Sequence, residues 1–139
     1  MLMTAACAES RTEGDFEYEC ERGWGLFDGW VCQAPLIEDL ILFVDENGDG
    51  PTIHVDLGEG SSAQLIPVSG DAVVVAVGFN DRLLVAKTES GDWFYLIFGE
   101  RAAGQNWPNV RGPYAKSALD AELIDDEIPA MRRTRDIDH

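Results

Sequence analysis

From Gly23 to Asp81 the chain contains no lysine and no arginine, and over its 139 residues only 10 such bases face 26 acids, a formal net charge of −16. That deficit excludes a surface built to hold DNA, RNA or anionic lipid, because those partners are gripped mainly by Lys and Arg. Histidine is almost as scarce, with His54 and His139 alone, and the three cysteines form no CxxC pair. The spacing therefore matches no zinc pattern. No apolar run approaches the roughly 18 residues of a membrane-spanning helix. The serines at 61, 62, 69, 90 and 117 lie in no nucleophile elbow. There is no internal repeat and no sign of a second domain.

What is present is a core-forming sequence, with 45% hydrophobic and 9% aromatic residues. A chain of this length buries roughly 65–70% of its unfolded surface and needs no metal or disulfide to fold. Asp15–Arg22 alternates Phe16, Tyr18 and Cys20 with Glu17, Glu19 and Glu21, the period of a half-buried strand. Further strands are predicted over Leu26–Ala34, toward Asp45, over Thr52–Leu57 and Ala63–Val68, and then over Ala72–Val77, Arg82–Lys87 and Trp93–Phe98. Gly, Asn and Asp clusters separate them. Three consecutive valines make Ala72–Val77 read as a central strand covered on both faces. Pro113–Ile128 reads as a helix, with Pro113 at its start, Leu119, Leu123 and Ile124 as its apolar stripe, and Pro129 as its stop. The expected fold is mainly β (α+β), an antiparallel meander or partial barrel of seven to eight strands with one C-terminal helix. Residues 1–13 read as a disordered tether or signal remnant, 14–130 as a single β-rich domain, and 131–139 as a polar, solvated tail.

Small residues directly before Cys7 resemble the end of a bacterial lipoprotein signal, although Thr4 stands where leucine is usual. Lipidation of Cys7 leaves Cys20 and Cys32 as an even pair on two neighbouring predicted strands. A bridge between them suits an oxidising periplasm or cell exterior, whereas in a cytosolic chain both are small buried residues.

The sharpest motif is Asp45-Glu46-Asn47-Gly48-Asp49-Gly50. Asp45, Asn47 and Asp49 at alternate positions place oxygens as a calcium loop does, and Asp56 falls at position 12, where a bidentate Glu normally closes the site. Against this, Asp is shorter than Glu, Pro51 restricts the loop and the flanks read as strands. A Gly-rich β-turn with solubilising acids is the alternative. No cofactor is required, and calcium is the one that fits. Trp24 and Trp107, next to Gly or Pro in predicted loops, and the acids Glu38, Asp39 and Glu46 are candidate partner-binding residues.

The block Val73–Lys87 carries a family likeness. Phe79–Arg82, Ala86-Lys87, Trp93–Phe98 and Gly112-Pro113-Tyr114 together resemble an uncharacterised family of small bacterial lipoproteins, over roughly the second half of the chain. The resemblance implies an envelope location and contains no catalytic motif. Charge and resemblance together lead to the expectation of a non-enzymatic acidic binding protein of the bacterial envelope, an inhibitor or immunity protein for a basic protein surface. Membrane contact would run only through a lipid anchor. A cytosolic acidic inhibitor and a calcium-dependent structural or adhesion module are the alternatives.

Overall fold

The structure, a computed structural model, describes residues 8–22, 30–45, 50–58, 61–67, 73–99 and 109–135. Six strands, β1 (Ala8–Glu13), β2 (Phe16–Arg22), β3 (Trp30–Pro35), β4 (Leu40–Asp45), β5 (Thr52–Gly58) and β6 (Ser61–Ile66), pair in chain order as an antiparallel meander. A second sheet holds β7 (Val74–Phe79), β8 (Leu83–Thr88), β9 (Trp93–Ile97), β10 (Val110–Tyr114) and β11 (Arg132–Arg133) in the order β10-β9-β8-β7-β11. Among the described residues one helix, α1 (Lys116–Glu122), lies between β10 and β11 in the chain. The mainly β, antiparallel reading with one C-terminal helix holds. The strands form two open sheets and not a closed barrel.

Alternation decides which side chains the two sheets share. Phe16, Tyr18 and Cys20 of β2 point inward with Leu40, Leu42, Ile53, Val55 and Ile66, and meet Val74, Val77, Leu84, Ala86, Phe94 and Leu96 of the smaller sheet. Cutting one of the large aliphatic side chains to alanine here costs about 2–5 kcal/mol. The far face of the smaller sheet carries Leu83, Val85, Trp93 and Tyr95 under Leu119 and Leu123 of α1. The layers are therefore sheet, sheet and helix. The strand covered on both faces is β8, with Leu83–Ala86 fully buried, and not the valine-rich β7. Val75 and Ala76 are only half-buried, because β7's outer neighbour is the two-residue β11.

Three further sequence expectations are corrected. The expected tether is ordered from Ala8 onward as β1, which pairs with β2 from Ala8↔Glu21 to Glu13↔Phe16. Backbone pairing stabilises this edge strand, so the absence of an apolar pattern concealed it. The expected helix over 113–128 shrinks to seven residues. Pro113 lies in β10, an edge strand where a missing N–H is tolerated. After Leu123 the chain turns, leaving Ile124 78% exposed. Asp125, Asp126 and Glu127 follow with no base in the last helical turn, which opposes the helix dipole.

The third correction concerns the tail. Arg132 and Arg133 pair with Val77 and Ala76, and Thr134 is completely buried. Its hydroxyl donates to the Val74 carbonyl at 2.7 Å, its amide to Val75 O at 3.1 Å, and its carbonyl accepts from the Tyr18 hydroxyl at 2.6 Å. The β1–β2 turn joins the same contact. Asp15 N donates to Arg133 O at 2.9 Å, and Arg133 N donates to Asp15 Oδ2 at 2.8 Å. That backbone bond, with the nearby guanidinium, holds the Asp15 carboxyl below its usual range. A Cβ on Gly14, whose φ is +59°, would stand 2.5 Å from Arg133 O, so only glycine allows both the turn and the approach.

Candidate functional site

The outer face of the six-stranded sheet gathers one sign of charge. Glu17, Glu19 and Glu21 form a row of exposed side chains along β2. Reading across the strands, Glu19 is opposite Gln33, Gln33 opposite Phe43, and Phe43 opposite Thr52. In the adjoining rows Glu21 leads to Val31 and Asp45, and Pro35 leads to Ile41, His54 and Gln64. A stripe of half-buried Val31, Ile41, Phe43 and His54 thus runs beside the glutamate row.

His54 is built into this face. Its ring stacks on Phe43 with centroids 4.5 Å apart. Nε2 hydrogen-bonds Thr52 Oγ1 at 3.0 Å and Nδ1 hydrogen-bonds Ser62 Oγ at 2.9 Å. Burial lowers its pKa, so the imidazole is neutral at pH 7. From the outer face it fastens β4, β5 and β6 together.

The charges on the two sides of the molecule are managed differently. Around the smaller sheet, helix and C-terminal segment, cations meet acids: Arg82 Nε and Asp126 at 2.7 Å, Lys116 and Asp120 at 2.8 Å, and Arg135 and Glu89 at 2.8 Å. Arg133 and Asp15 stand 3.5 Å apart. Lys87 and Lys116 also lie over the Trp93 ring at 5.6 and 5.4 Å. Glu17, Glu19 and Glu21 pair with no cation among the described residues, and their cross-strand neighbours Thr12, Ser10 and Gln33 are neutral.

The Cys20–Cys32 bridge is formed, between directly opposed residues of β2 and β3 with Cα atoms 4.0 Å apart. Cys7 lies outside the described residues, as do Trp24, Glu46, Asn47, Asp49 and Trp107. Glu38 and Asp39 are exposed in the β3–β4 turn, Glu38 at φ +56°.

The candidate calcium set is not brought together as the spacing suggested. Asp45 ends β4 beside Val31, whereas Asp56 N donates to Asp39 O at 2.7 Å, at the other end of the β4–β5 hairpin. Six residues of strand separate Asp39 from Asp45, about 20 Å. Ligands of one calcium ion lie within about 2.6 Å of it, so Asp56 cannot close a loop that opens at Asp45. The physical reason is that Thr52–Gly58 runs away as a strand, where a calcium loop folds back. Asp56 Oδ1 instead accepts from Gly58 N at 2.8 Å. Among the described residues no group of three or more His, Cys, Asp or Glu is arranged to hold a metal ion.

The glutamate row was missing from the candidate partner-binding residues because the base-free interval begins just after it. The signal was the alternation of β2 itself, which placed three carboxylates on one face. Comparisons with protein-family models, with curated proteins and with solved structures find no match to this chain.

Proposed function

We propose that this chain is a non-enzymatic acidic binding protein of the bacterial envelope, of the inhibitor or immunity type, that covers a basic surface of a partner protein. The observation that carries the reading is the outer face of the six-stranded sheet, where Glu17, Glu19 and Glu21 meet no cation among the described residues beside a stripe of Val31, Ile41, Phe43 and His54. Interfaces that combine an apolar centre with charge at the rim recognise partners of opposite charge and associate with them quickly. The Cys20–Cys32 bridge supports the envelope location, because such bonds persist in oxidising compartments.

The test uses an arginine-rich, tryptophan-containing peptide as probe, followed by amide chemical shifts at low and physiological salt. Shifts should centre on β2–β5, weaken about tenfold or more with added salt, and disappear in a Glu17→Gln, Glu19→Gln, Glu21→Gln triple variant. Shifts centred on α1 or on the smaller sheet would sink the reading. Cell fractionation tests location, and mass spectrometry of residue 7 in native membranes tests the lipid anchor. A free thiol on a cytosolic protein would favour an acidic inhibitor of the cytoplasm instead.

A further inference from the structure

The inner face of the six-stranded sheet carries two residues that a closed sandwich would not tolerate. Arg11 lies opposite Tyr18 and Glu13 opposite Phe16, so both share the core-facing side of the sheet. They are accommodated because the smaller sheet ends in the two-residue β11 and leaves the larger sheet overhanging. Under that overhang is a cavity of about 180 Å³. Its floor is formed by Tyr18, the Cys20–Cys32 bridge, Val44 and Pro51.

The floor offers carbon and sulfur but little to hydrogen-bond. The Tyr18 hydroxyl is already committed to Thr134 O, and no buried side-chain nitrogen or oxygen among the described residues lacks a partner. A group entering this space gains by being apolar. A dry cavity of about 150 Å³ accepts benzene, so this one has room for a single ring or a branched aliphatic group of that size. The mouth has different chemistry. Arg11 and Arg135, both half-buried, line the cavity with the exposed Glu13, the one acid among its described lining residues. Arg135 Nη2 holds Glu89 at 2.8 Å, but a guanidinium has five donor hydrogens in a fixed fork. Two of the chain's 10 bases thus meet at one opening in a protein of net charge −16.

We propose that this cavity binds a small carboxylate with a ring-sized apolar body, the body against the disulfide and Val44 and the carboxylate between Arg11 and Arg135. The site lies on the opposite side of the sheet from the glutamate row and does not depend on the partner-binding reading. Its chemistry is selective in two respects. An amine of the same shape would bring a cation against two guanidinium groups, and a polar body would lose its hydration in the floor without recovering hydrogen bonds.

The test is titration of the full chain with benzoate, benzyl alcohol and benzylamine, read from the amide signals of Tyr18, Cys32, Val44 and Gly50. Benzoate should saturate those signals with a Kd of roughly 1–10 mM, as expected for a ligand of this size. Benzylamine should bind about tenfold or more weakly. Arg11→Gln and Arg135→Gln should each weaken benzoate about threefold to tenfold and leave benzyl alcohol unchanged. Val44→Phe should abolish binding of both while keeping the amide dispersion of a folded chain. Should that variant not fold, Val44→Ala, which enlarges the floor, should admit 2-naphthoate where the parent does not. No response to 20-fold more benzoate than protein at about 20 mM total, equal binding of benzylamine, or shifts away from this floor would each overturn the proposal.

Discussion

Replacing Tyr18 by phenylalanine removes a single hydroxyl from the centre of the molecule. That hydroxyl reaches Thr134 O at 2.6 Å across 116 residues of chain. Tyr18 is 2% exposed and Thr134 is fully buried. Leaving a buried carbonyl without its partner costs about 1–3 kcal/mol. Thr134→Val keeps the shape but deletes the 2.7 Å bond to Val74 O, for about 1 kcal/mol. Both bonds fix the same residue, so the double variant should lose less than the sum, by at least about 0.5 kcal/mol. Urea unfolding measures this. With an m-value of about 2 kcal/mol/M, Tyr18→Phe should lower the midpoint by about 0.5–1.5 M. The same bond predicts alkaline behaviour. Burial, with Glu13 adding to it, raises the Tyr18 pKa well above its ordinary value of 10. The neutral phenol's contribution is therefore complete below pH 10 and declines as pH rises toward the raised pKa; the phenylalanine variant lacks that decline. A Tyr18→Phe protein within about 0.3 kcal/mol of the parent, or strict additivity with Thr134→Val, would refute the closing role given to this contact.

Gly78→Ala would place a Cβ 2.6 Å from Ala130 O and 3.0 Å from Met131 Sδ; calorimetry should show a loss of about 1–3 kcal/mol from overpacking. Replacing Cys20 and Cys32 by alanine opens a loop with a sequence separation of 12 and should cost about 3 kcal/mol in denaturant unfolding. Burial lowers the His54 pKa, so the unfolded chain takes up a proton first as pH falls through about 6.5. Stability should therefore decline below that pH more steeply in the parent than in His54→Gln; parallel pH profiles would contradict the neutral imidazole. Because Asp56 sits at the far end of its hairpin from Asp45, Asp56→Asn should leave the response of Tm to millimolar calcium as it is in the parent.

Elements that declare themselves through side chains were legible in the sequence. Phe16, Tyr18 and Cys20 against three glutamates fixed the faces of β2, and the turns around Asn80-Asp81 and Ser90-Gly91 delimited β8. Placing Cys20 and Cys32 on neighbouring strands allowed a bridge or two small buried cysteines, and the bridge is what forms. β1 and β11 were illegible because their side chains hold no period. Ser10, Arg11, Thr12 and Glu13 bury little, and Arg132 and Arg133 are exposed. What stabilises those strands is backbone pairing and one buried threonine. The helix was over-extended because Leu119, Leu123 and Ile124 continue an apolar spacing, while the acids after Leu123 stop the backbone. At the candidate site the same asymmetry recurs. Counting bases pointed to the interval after Arg22, yet the glutamate row of the outer face precedes it, and only the pairing of β2 with β1 and β3 shows that its cross-strand neighbours are neutral.

The contact of the β1–β2 turn with residues 133–134 also has a meaning in time. During synthesis the β1–β2 hairpin emerges before the segment that covers Tyr18, so the inner face of β2 first stands without it. The acceptor of the Tyr18 hydroxyl is the carbonyl of residue 134, which leaves the ribosome 116 residues later. The sandwich cannot close vectorially from its first strand. It must wait, with one edge open, for residues 133–134 to return to Asp15 and Tyr18.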